Sequence, residues 1–242
     1  METYALVFLI ALAAGALSGL VGTGSSLLLL PVLVQSYGPK EAMPIMAVAA
    51  IIGNLSRMGA WWRLIDWRAA SAYALLGVPA AALGAHTLLA LPAWIIDAAL
   101  GLFFWCMVPL NRRLRKAKWR FSLPQLGLCG GGVGFLTGLV LSTGPLSVPV
   151  FTAYGLSGGA FLGTEAASAL FLYASKVGTF AAQDALSLPT ALQGLLVGAG
   201  IMAGTAGSKS LVLKLPAGIF GLLIDLLLLI SGAALLCSAW FG

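Results

Sequence analysis

Charge is scarce in this chain. Only 8% of its residues are Asp, Glu, Lys or Arg, where a water-soluble domain carries roughly 25%. With 60% hydrophobic residues, the chain cannot cover a globule with polar side chains, so its surface must face lipid. No stretch is polar enough to form a separate soluble domain. Histidine occurs once, as His86, and the three cysteines, Cys106, Cys129 and Cys237, stand far apart. There is no CxxC pair and no other metal-ligand spacing, so neither a metal nor another cofactor is expected. The lack of an HExxH motif argues against a membrane metalloprotease, and the lack of a P-loop argues against an ATP-driven pump. The first apolar stretch follows Met1-Glu2 with no basic n-region before it, so no cleavable signal is expected.

The charge that is present is unevenly spread. The net charge is +6, and six of the thirteen basic residues fall in one run, Arg112, Arg113, Arg115, Lys116, Lys118 and Arg120. Between two apolar stretches, such a run reads as a cytoplasmic loop, Asn111 to Phe121, held inside by the positive-inside rule. Nucleic acid is not the expected partner. The expected partners are the lipid bilayer and a small solute.

About 20 apolar residues span the hydrocarbon as a helix. Eight hydrophobic segments are present, four on each side of the basic run. Tyr4–Val34 comes first and is longer than one straight crossing requires; it is broken at Gly22-Thr23-Gly24-Ser25-Ser26, and Pro31 follows. Glu41–Trp62, Ala70–Ala90 and Pro92–Leu110 complete the first half. Pro124–Tyr154 is again overlong, broken at Ser142-Thr143-Gly144-Pro145 with Pro149 beyond, and Gly158–Ala182, Pro189–Lys209 and Pro216–Trp240 follow. The halves also share sequence at a constant offset of 119. Gly15-Ala16-Leu17-Ser18-Gly19-Leu20-Val21 corresponds to Gly134-Phe135-Leu136-Thr137-Gly138-Leu139-Val140, and Ser56-Arg57-Met58-Gly59 to Ser175-Lys176-Val177-Gly178. The fold expected is an all-α integral membrane protein of two homologous four-segment repeats. The expected domains are a first repeat at 4–110, a linker at 111–121 and a second repeat at 122–241.

The two breaks carry the chemistry. Non-helical backbone survives at membrane depth only against protein or a water-filled cavity. Matching interruptions in two halves point to a transporter's substrate site. A helix restarting after such a break offers unpaired N–H groups and the positive end of its dipole. Gly24 and Gly144 allow close approach of a ligand, while Thr23, Ser25, Ser26, Ser142, Thr143 and Ser147 add hydroxyls. A small oxyanion suits this chemistry. The competing reading is a pair of proline-glycine kinks that shape the bundle.

Arg57 and Lys176 lie at equivalent places in the second segment of each half. They either hold the anion or snorkel to an interface. Asn54 and Tyr173, three residues earlier, share their helix faces and could bond a substrate. Asp97, Glu165 and Asp225 are the carboxylates within the spans. Glu165 and Asp225 are the candidates for a coupling proton, with a purely structural ion pair as the alternative for Glu165.

The paired overlong segments, the Gly-rich breaks followed by Pro, and the elements Asn54-Leu55-Ser56-Arg57 and Tyr173-Ala174-Ser175-Lys176 resemble the TauE/SafE sulfite-exporter family over roughly residues 4–240. The resemblance implies a multipass carrier of small sulfur-containing or organic anions, built as two repeats, in the cell inner membrane. Serines stand here where the family's first-half motif has further glycines, and the second half reads as a Ser-Gly-Pro variant. The function expected is secondary transport of a small anion, a sulfur oxyanion or organosulfonate, by alternating access between the repeats. An anion channel is the alternative, and a membrane enzyme is a more remote one. A homodimer would give a moving domain a fixed scaffold.

The basic residues bear on orientation. If all eight segments cross, the repeats are parallel, with eight basic residues inside and Lys40, Lys209 and Lys214 outside. If each overlong segment is a hairpin that turns back, the repeats are inverted, with ten inside and only Lys40 outside. The positive-inside rule favours the second count.

Overall fold

The computed structural model describes residues 2–21, 24–116, 119–140, 144–212, 226, 229–230, 232–237 and 239–240. The described residues are helical with short connections: α1 (Glu2–Val21), α2 (Gly24–Tyr37), α3 (Pro39–Trp61), α4 (Trp67–Ala90), α5 (Ala93–Lys116), α6 (Leu123–Val140), α7 (Gly144–Tyr154), α8 (Gly158–Ala182) and α9 (Leu188–Val212). Lys40–Leu64, Trp67–Ala90, Ala93–Leu110, Leu123–Val140 and Leu188–Gly207 are long and apolar enough to cross a membrane. Leucines such as Leu9, Leu75, Leu83 and Leu128 point outward, as lipid-facing side chains do.

Local sequence sets the helix ends. Gly38 sits between α2 and α3 at φ +77, a conformation open to glycine, and Pro39 follows as the first residue of α3. Asp66 caps α4 by accepting from the backbone N–H groups of Arg68 (3.0 Å) and Ala69 (3.1 Å). Helix α5 runs on through Lys116, so the first part of the basic run prolongs a helix where a loop was expected. Arginine and lysine are good helix formers and need only water around their heads.

Inter-helix contacts fix the direction of each long helix. Gly130, Gly134 and Gly138 of α6 lie against Tyr73, Gly77 and Ala81 of α4, so these two run parallel. Helix α8 runs parallel to α4 as well. Thr164 accepts from the Asp66 N–H at 2.9 Å, Leu172 abuts Gly77, and Ser175 donates to the Val78 carbonyl at 2.8 Å. Gly200 and Gly204 of α9 meet Ala11 and Leu12 of α1, while Gly194 and Gly198 meet Val48 and Ile52 of α3. Helices α1, α3 and α9 therefore share one direction. Trp61 of α3 meets Gly159 and Gly163 at the start of α8, and Arg57 meets Glu165 further along, so α3 and α8 are antiparallel. Helices α4, α6 and α8 thus oppose α1, α3 and α9.

Two consequences follow for the broken segments. Helix α2 ends beside the start of α3, which is also the end from which α1 sets out. Helix α7 ends where the Phe121 N–H donates to the Ala153 carbonyl at 2.9 Å, just ahead of α6. Each pair, α1–α2 and α6–α7, is a helical hairpin, and the two enter from opposite ends of the bundle. Helix α7 has 11 residues, about 16 Å at 1.5 Å per residue, roughly half a bilayer core of about 30 Å. One end of the bundle gathers Arg63, Arg68, Arg113, Arg120 and Lys209; the other holds Lys40, Glu41 and Asp184.

Candidate functional site

The two hairpins bring the first turns of α2 and α7 to one small cavity of about 40 Å³. Ser25 and Ser26 of α2 and Gly144 and Ser147 of α7 line it. A helix N-terminus leaves its first N–H groups without intrahelical partners and carries roughly +0.5 of an elementary charge. Helices α3 and α8, which cross antiparallel between the hairpins, add Asn54, Arg57, Glu165 and Tyr173 to the wall. Tyr73, Thr137 and Phe151 close it.

Within this cavity the charges are buried and paired. Arg57 is 7% exposed and Glu165 5%. Arg57 Nη1 lies 3.0 Å from Glu165 Oε2, while its Nη2 donates to Asn54 Oδ1. Asn54 in turn donates to the Ala50 carbonyl at 2.8 Å, which fixes the amide so that its oxygen faces the guanidinium. Ser147 Oγ donates to Glu165 Oε1 at 3.2 Å and also lies 3.0 Å from the Gly144 carbonyl oxygen. Apart from Arg57, Glu165 Oε2 has no partner among the described residues. Tyr173 and Ser26 are hydrogen-bonded, which ties α8 to the start of α2. Breaking a buried pair by removing one partner costs about 3–5 kcal/mol, because the other charge is left bare.

The residues singled out in the sequence fall into three groups. Ser25, Ser26, Asn54, Arg57, Gly144 and Tyr173 line one cavity together, and Glu165 joins them. Gly24 opens α2 beside Ser25. Thr23, Ser142, Thr143 and Asp225 lie outside the described residues. Lys176 does not line the cavity but sits behind its Thr137 wall: it is fully buried, its Nζ donates to the Thr137 carbonyl at 3.0 Å, and it sits 5.4 Å from the Phe180 ring centre. It therefore lies against the last turn of α6, where a cation meets the negative end of the helix. Neither cation snorkels.

Tyr73 and Phe151, 4.8 Å apart between ring centres, are wall residues that the sequence did not mark. They come from segments whose other features are generic packing, and only their spatial neighbours give them a role. Gly155-Leu156-Ser157-Gly158-Gly159 has the G-x-S-x-G spacing of a hydrolase nucleophile, a motif this chain was not expected to contain. It joins two helices instead of a strand and a helix, and Ser157 is exposed at the start of α8. Among the described residues no three of His, Cys, Asp and Glu gather as metal ligands.

A family model described as "Sulfite exporter TauE/SafE" matches residues 7–235, nearly the whole chain. Neither a curated protein nor a solved structure matches it.

Proposed function

This chain belongs to the sulfite exporter TauE/SafE family of membrane transporters, and on that premise we propose that it is a secondary carrier of a small sulfur oxyanion or organosulfonate. Arg57 is the anion's main partner, and the N-termini of α2 and α7 complete its shell. The observation that carries this reading is the meeting of both interrupted segments and a buried arginine at one cavity. A cavity of about 40 Å³ holds a few waters, which favours an anion of few atoms over a bulky organic one. Ser25, Ser26, Ser147 and Asn54 provide hydrogen bonds to such an oxyanion. Thr23, Ser142 and Thr143 belong to the same proposed shell by their place at the breaks.

The carrier works by alternating access between two inverted repeats, 4–110 and 122–241, joined by the basic segment 111–121. Helix direction supports the inversion. At an offset of 119, α1 corresponds to α6, α3 to α8 and α4 to α9, and the members of each pair run oppositely. Charge supports it too, because Arg63, Arg68, Arg113, Arg120 and Lys209 share one end, which is then cytoplasmic in the cell inner membrane. An inverted pair gives a carrier two equivalent half-states that exchange about a fixed midplane site.

The test is reconstitution in liposomes with a panel of sulfite, thiosulfate, methanesulfonate and short carboxylates. Saturable uptake with counter-transport is expected, and it should be lost in Arg57→Gln. Conductance without exchange would make the protein a channel. Wild-type flux in Arg57→Gln would remove the arginine from the site.

A further inference from the structure

Arg57 cannot serve an incoming anion fully while Glu165 holds it. The carboxylate lies 3.0 Å from Nη1 inside the same small cavity, so the carboxylate and a bound oxyanion compete for one guanidinium. We propose that Glu165 is a tethered competitor of the substrate, released from Arg57 by protonation, so that one proton crosses with each anion. This rests on the transport reading above and names its coupling ion.

Charge counting supports the exchange. With Glu165 ionised, Arg57 and Glu165 cancel, and the two helix ends supply roughly +1 in total. An anion brought beside ionised Glu165 places two negative charges within one small cavity, a repulsion that low-dielectric surroundings magnify. Protonation removes the competing charge and leaves roughly +2 to receive the anion. Glu165 Oε2, whose partner among the described residues is Arg57 alone, takes the proton as the guanidinium lets go, while Ser147 continues to hold Oε1.

The groups facing Glu165 leave no second carboxylate to share this role among the described residues. Helix α3 presents Arg57 and α4 presents Tyr73. Its own helix presents Tyr173, and Lys176 on that helix is turned to Thr137. Helices α6 and α7 contribute the hydroxyls of Thr137 and Ser147. In the turn after α3, Arg63 lies exposed over the Trp62 ring at 5.3 Å. Because Arg57 and Glu165 sit on α3 and α8, the pair also latches helices of opposite direction, and its opening is the event that frees them to move.

Methanesulfonate is the probe for the test, since it stays ionised at all working pH values and cannot carry the proton itself. Proteoliposomes receive labelled methanesulfonate with and without an inward proton gradient, while a trapped dye reports internal pH. For wild type, a gradient of one pH unit is expected to concentrate the anion about tenfold at zero membrane potential, with about one proton entering per anion. In Glu165→Gln the ratio of proton to anion flux should fall to zero, whatever anion rate remains. A Glu165→Asp variant, which keeps a carboxylate, should retain proton flux. An unchanged proton-to-anion ratio in Glu165→Gln, or wild-type anion flux with no proton entry, would overturn the coupling while leaving anion transport standing. If wild type moved no anion of the panel, the transport reading would itself fall, and this proposal with it.

Discussion

Adding one methyl group to Gly134 should loosen the α4–α6 pair, whereas the same change two residues earlier should not. A Cβ at Gly134 would lie 2.7 Å from Gly77 Cα and 2.9 Å from its carbonyl carbon, in addition to meeting its oxygen. These are backbone atoms, so no side chain can swing aside, and ordinary contact begins at 3.4 Å. The helices must therefore part by roughly 0.5–1 Å, which forfeits about a quarter to a half of each affected contact. With a few tens of atom pairs at about 0.1–0.2 kcal/mol each, the loss is about 1–3 kcal/mol, the range found for overpacked cores. In lipid no hydrophobic gain offsets it, because helix association there rests on close packing. Gly132 sits on the other side of α6 with nothing within 4 Å of its Cβ position. Gly132→Ala should be neutral or slightly stabilising through helix propensity. Thermal unfolding of both variants in detergent, compared with wild type, is the assay. If Gly134→Ala and Gly132→Ala unfold together, the close α4–α6 approach is not what holds the second hairpin.

Lys176→Met should destabilise the protein by about 1–3 kcal/mol, because the Thr137 carbonyl is left without this donor. It should leave the apparent anion affinity within a factor of two, and a loss of tenfold or more would mean that Lys176 contacts the substrate after all. Asp66→Ala should cost about 0.5–2 kcal/mol in thermal unfolding through loss of the α4 cap; Asp66→Asn, which can still accept, should recover most of it, and equal loss in both would assign the effect to charge. A cysteine at Lys214, placed in a variant lacking Cys106, Cys129 and Cys237, should resist an impermeant thiol reagent added outside intact cells. A cysteine at Lys40 should react, and the reverse pattern would refute the inverted arrangement.

Composition alone fixes the solvent. A chain with 8% charge must bury its surface in lipid, whatever its fold. Glycine and proline runs likewise point to the breaks, but more broadly than the fold has them: α1 ends at Val21 and α6 at Val140, while α2 starts at Gly24 and α7 at Gly144, so Gly24-Ser25-Ser26 and Gly144-Pro145 are already helical. These are local properties, decided within a few residues by backbone freedom and missing N–H groups. The extension of α5 through Lys116 shows the limit of that logic, because a charged run is polar in either state and charge alone does not end a helix.

What the sequence left open depends on neighbours distant along the chain. It paired Arg57 with Lys176 as equivalent cations, and packing separated them: one meets Glu165, 108 positions away, at the cavity, and the other lies against the end of α6. A buried charge takes whatever partner the fold brings within reach, and equivalence in sequence does not supply equal partners. Tyr73 and Phe151 became wall residues for the same reason. Helix direction, too, was undecided by apolar runs that read alike either way; the registers across α4–α6 and α1–α9, together with the antiparallel α3–α8 contact, set it.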